Sequence, residues 1–249
     1  VSACDYPHKQ NKSPIFFPDH GELWSIPWDF QLIDNELLMI CSGNQFPYHF
    51  SKRISIWKNE IKIHYSIENF SDQEFECLWS AHPLLKVDPG DRIFVHEPVD
   101  KVFLNWSSDK QIGHFGDIIE WPCISRNGSV TDYSVVKERS EGIALKCFTG
   151  PVNNGEAAVY YTLSNESLIY AFSPEHIPYL GIWLCYGGWP TDQYSKHLTV
   201  ALEPASGRPD SLEEAITRHE CSSIGPKSRK EWYLSIQIKK GHPDWVSVN

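Results

Sequence analysis

Three short segments of this chain carry side chains able to move protons. Residues 18–28 place His20, Glu22, Trp24 and Trp28 within nine positions, beside Gly21. An imidazole and a carboxylate among indole rings suit a sugar-like ligand, and a glycine lets backbone approach it closely. A His-Gly pair is also the sequence of an ordinary turn. Residues 78–85 carry His82 where apolar, strand-like sequence meets Pro83. An imidazole titrates near neutrality and can donate a proton there, whereas the plain alternative is a hydrogen-bonded core histidine. Residues 198–210 put Glu203 at the end of an apolar run. A carboxylate buried without a partner is costly, so Glu203 is either paired with a cation or used in chemistry. Arg208 is near enough in sequence to supply the pairing.

Period-2 alternation of apolar residues dominates the elements that must position these groups. Ile54 and Ile56 face one way; after Lys58-Asn59-Glu60 the alternation resumes at Ile61, Ile63, Tyr65 and Ile67, the pattern of a hairpin. Further strands are expected over 31–41, 93–104, 143–148, 157–163, 168–173, 181–186, 197–202 and 232–238. The one clear helix signal is Ser211 as N-cap with Glu214 three residues on, a capping box. Leu212, Ala215, Ile216 and His219 would then share a face, and Glu214 could pair with Arg218. Many antiparallel strands with one short, late helix predict an all-β sandwich. With no repeat or low-complexity linker, the 249 residues are read as a single domain.

The net charge of −10, without blocks of like charge, argues against nucleic acid or an acidic membrane surface as partner. No apolar run reaches the roughly 20 residues that cross a bilayer. Seven scattered cysteines with no Cys-x-x-Cys indicate free thiols in the core and a reducing, cytoplasmic setting. Sequons at Asn11, Asn69, Asn105, Asn127 and Asn165 pull toward secretion as the lesser alternative. His-Glu-x-x-His, a Gly-rich phosphate loop and Gly-x-Ser-x-Gly are all absent. Asp210 is read as helping to start the helix, and His49, His64 and His96 as polar-face residues.

In order and interval, His20-Gly21, His82-Pro83 and Glu203-Pro204 before Pro209-Asp210 together resemble the aldose 1-epimerase (galactose mutarotase-like) superfamily. Cys4-Asp5-Tyr6-Pro7, His20-Gly21-Glu22-Leu23-Trp24 and Gly187-Gly188-Trp189-Pro190 resemble segments of its less characterised bacterial-type branch. The resemblance spans roughly residues 4 to 238 and implies a galactose mutarotase-like antiparallel super-sandwich, here expected to lack some N-terminal strands. It implies Glu203 as general base and His82 as general acid. His20, Glu22, Trp24, Trp183, Trp189 and Asp5 would contact a small carbohydrate or carbohydrate-like substrate. No metal, nucleotide or other cofactor is implied: mutarotation needs one proton removed from the anomeric hydroxyl and one given to the ring oxygen.

Two departures from the family stand out. Glu22-Leu23-Trp24 replaces an Arg-containing pattern, and the family's upstream Arg has no counterpart beyond Lys9. Its Asp between acid and base could be Asp88, Asp91, Asp117 or Asp132. The departures leave open a carbohydrate-binding protein without catalysis, or an isomerase, lyase or cyclase using the same pair on a non-sugar. Hexose phosphates are disfavoured, since no Arg or Lys cluster accompanies the site residues.

Overall fold

The computed structural model describes residues 3–6, 15–192 and 194–246. Its chain forms two compact units: Val1–Trp79 with Ser206–Ser235, and Ser80–Ala205 with Ile236–Asn249. Lys9 and the Asn11 sequon lie outside the described residues.

In the first unit, strands Asp29–Ile33, Glu36–Ser42, Tyr48–Trp57 and Glu60–Asn69 form an antiparallel meander, followed in the sheet by the start of Arg229–Lys240. The single strand expected over 31–41 is two. Asp34 and Asn35 both adopt positive φ, 49° and 66°, and turn the chain back on itself. Short polar Asp and Asn side chains tolerate that conformation better than other non-glycine residues. The expected 54–67 hairpin is present, turning at Lys58-Asn59 with Trp57 opposite Glu60. Phe50, Tyr65, Trp79 and Trp232 make an aromatic cluster, Tyr65 and Trp79 meeting edge-on at 4.8 Å.

The helix Leu212–Arg218 is capped as its sequence predicts. The Ser211 hydroxyl accepts from the Glu214 amide, and Arg218 donates to Glu214 at 2.6 Å. His219 does not extend the apolar face: it leaves the helix in the left-handed conformation, φ 58°. Asn69 is fully buried, its amide donating to the carbonyls of Gln73, Ile224 and Gly225. That sequon is therefore a structural staple.

In the second unit a six-stranded sheet has the order Ile118–Glu120, Lys101–Ser107, Ile143–Phe148, Tyr179–Tyr186, Leu198–Ala205, Leu84–Lys86. Strands Arg92–Val95, Glu156–Tyr161 and Glu166–Phe172 pair alongside the end of Arg229–Lys240. The strand expected over 93–104 is interrupted after Val95. Pro98 lies in the break, and a residue without an amide hydrogen cannot continue a ladder. In the six-stranded sheet Leu145, Leu184 and Val200 stand in one register row, with Cys147, Ile182 and Leu202 in another. All six are fully buried. Lys146, Trp183 and Ala201 form a row on the opposite face, where side chains alternate away from that core. Cys41, Cys147 and Cys185 are buried, whereas Cys123 is exposed, contrary to the expectation of core thiols throughout.

Candidate functional site

Glu203 lies within the strand Leu198–Ala205, which continues through Pro204 beyond the end expected at Leu202. Its side chain is 1% exposed. Directly opposite stands Gly181, where a Cβ would come within 2.7 Å of the Phe148 ring and 3.1 Å of Glu203 Cβ. The missing side chain leaves room for groups from the neighbouring strand to reach Glu203.

Two groups reach the carboxylate. His82 Nδ1 is hydrogen-bonded to Oε1. Since an ionised carboxylate only accepts, Nδ1 carries the proton in that state. The imidazole is held by its own backbone segment: Ser80 bridges to Ala205, and the Ala81 amide donates to the Pro204 carbonyl at 3.0 Å. Pro83 biases His82 toward extended backbone. The His82 side chain is 43% exposed, and Nε2 has no partner among the described residues. The second group is Lys146, whose Nζ lies 3.2 Å from Oε2.

Glu203 is therefore paired with a cation, Lys146. Arg208 forms a two-pronged pair with Glu220, its Nε donating at 2.9 Å. Lys146 was missed in the sequence, where a single lysine in the apolar run Ile143–Phe148 is the only signal. Burial, and then the Glu203 charge, push the Cys147 thiol well above its ordinary range.

Trp183 stands opposite Lys146. Its ring centroid is 5.9 Å from that of Trp106, and Trp189 meets Trp106 edge-on at 5.6 Å. Trp106 follows a register shift after Leu104, an irregularity that changes which side chain the strand presents. Gly187 and Gly188 precede Trp189 by necessity of space: a Cβ on Gly187 would sit 1.8 Å from the Arg139 carbonyl oxygen.

The remaining expected site residues belong to the first unit. His20 Nδ1 is 3.0 Å from Asp19 Oδ2, and its ring lies 5.5 Å from that of Trp24, which is 80% exposed. Glu22 is buried; one oxygen accepts from the Tyr48 hydroxyl at 2.6 Å and the other from the amides of Asn44 and Gln45. Asp5 is exposed, opposite Phe16 in a two-stranded sheet. Of the four candidate aspartates, Asp91, Asp117 and Asp132 accept backbone amides of their own loops, at Asp88, His114 and Ser134. Among the described residues none of the four is hydrogen-bonded or ion-paired to His82 or Glu203.

The fold is galactose mutarotase-like. A galactose mutarotase-like protein from Lactobacillus casei is similar with a TM-score of 0.70 at 15% identity, over 94% of this chain and 80% of that one. Slr1438 from Synechocystis gives 0.67 at 17%, over 95% and 73%. A putative aldose 1-epimerase from Escherichia coli K12 gives 0.66 at 14%, over 94% and 75%. No protein-family model and no curated protein matches the chain.

Proposed function

We propose that the chain is an acid–base enzyme that interconverts the anomers of an aldose or a closely related sugar. The observation that carries this reading is Glu203, buried on a sheet face with His82 on one oxygen and Lys146 on the other. The carboxylate is buried while its partner imidazole is 43% exposed, within reach of a ligand. In the reaction, a ligand hydroxyl takes the place of His82 on Oε1, and Glu203 accepts the anomeric proton. His82 gives a proton to the ring oxygen, the ring opens, the aldehyde rotates, and the two steps reverse on its other face. Trp183 and Trp189 offer aromatic surface to the sugar's apolar face. The descriptions of the Lactobacillus casei and Escherichia coli neighbours support a sugar as ligand.

Binding without turnover is the second reading, motivated by the four candidate aspartates, none of which is hydrogen-bonded or ion-paired to His82 or Glu203 among the described residues. Calorimetry and exchange NMR on the same sugars separate the two. Heat of binding together with accelerated α/β exchange supports the enzyme; heat without acceleration supports the binding protein.

A further inference from the structure

Lys146 does nothing in the two proton transfers just described, yet it occupies a position where an apolar residue would pack without penalty. Its side chain is 14% exposed, flanked in register by Trp106 and Trp183. Its ammonium lies 3.2 Å from Glu203 Oε2 and 5.5 Å from the centre of the Phe148 ring. Desolvating a lysine in such a place is costly, and the carboxylate and the ring face offset that cost.

We infer that Lys146 is a positioning residue that divides the labour of the pair, fixing Glu203 as the anion and leaving the shared proton on His82. The inference rests on reading this site as an acid–base pair. A buried carboxylate and an imidazole can share a proton as an ion pair or as two neutral groups, and low polarity favours the neutral form. A cation in contact with Oε2, with His82 beyond Oε1, stabilises the carboxylate more than it disfavours the imidazolium. It thereby selects which partner is base and which is acid.

Among the described residues, the segment before strand Leu84–Lys86 brings His82 to Glu203, strand Ile143–Phe148 brings Lys146, and Gly181 of strand Tyr179–Tyr186 stands opposite it. The Cys147 thiol lies on the other face of the sheet. Lys86 is exposed opposite Thr199.

The test follows the His82 imidazole by NMR in the full chain, its signal assigned with His82→Gln, and does not depend on turnover. The ring nitrogen shifts tell an imidazolium from a neutral imidazole. In wild type and Lys146→Arg, with one proton on the pair, His82 should show the doubly protonated pattern; in Lys146→Met it should show a neutral ring, the proton having moved to Glu203. If Lys146→Met does not fold, Lys146→Gln carries the same expectation with a polar side chain of similar length. A His82 ring that stays doubly protonated in the neutral variant as in wild type, or a Lys146→Arg protein that behaves like the neutral variant, overturns the inference. Where wild type exchanges anomers, both limbs of its pH–rate profile should move upward in the neutral variant; limbs that stay put overturn the inference. Absence of exchange in wild type overturns the functional reading instead, and the His82 ring shifts still decide the role of Lys146.

Discussion

Glu22 and Glu203 are both buried, at 7% and 1% exposure, yet their surroundings differ in kind. Glu22 is surrounded by neutral donors: a phenol and two backbone amides. Glu203 is surrounded by groups that carry or exchange protons, His82 and Lys146. Neutral donors hold an anion in place and hold the chain around it. Titratable partners keep an anion ionised while leaving a proton nearby that can move. Burial alone therefore does not mark a catalytic carboxylate; the identity of the donors does.

The sharpest way to break this contrast is to neutralise each carboxylate. Glu203→Gln should lower anomer exchange by about 10²–10⁴-fold with the circular dichroism spectrum unchanged, and His82→Ala by about 10²-fold. Glu22→Gln should do the opposite, costing about 2–3 kcal/mol of stability, or a fall of roughly 5–10 °C in Tm, with exchange rates intact. A Glu22→Gln protein that is stable but inactive would erase the distinction. Trp183→Ala should raise KM roughly tenfold with a smaller effect on kcat, which initial rates at varied sugar concentration would measure.

The smallest expected effect concerns Tyr48. Burial first, then its hydrogen bond to Glu22, push the phenol well above its ordinary range. Its folded pKa is raised, so the stabilisation is fully present below the unfolded value of about 10 and is lost as pH rises past it. Tyr48→Phe should make the alkaline decline in stability shallower by about 1.4 kcal/mol per pH unit, read from urea midpoints. An unchanged slope would mean that the fold does not hold the Tyr48 phenol protonated.

Alternation in sequence located most strands, because a half-buried sheet imposes it residue by residue. It missed the turn at Asp34-Asn35, where two non-glycine residues take positive φ, and the break at Pro98. His82 and Glu203 stood out in the sequence because each is a polar group in apolar, strand-like surroundings followed by proline. Their contact joins residues 121 positions apart and depends on the Ser80–Ala205 bridge, which no local pattern announces. Lys146 was harder still. Its approach to Glu203 crosses a neighbouring strand at Gly181, so it follows from register rather than from spacing. The same holds for Glu22, whose partner Tyr48 lies 26 residues on in the chain.

Two-dimensional exchange NMR on a panel of aldoses at equilibrium, with wild type, Glu203→Gln and Glu22→Gln, addresses the central claim most directly. Accelerated α/β exchange is expected for at least one sugar in wild type and Glu22→Gln, and its loss in Glu203→Gln. Exchange that persists in folded Glu203→Gln, or that no sugar shows in wild type, would contradict it.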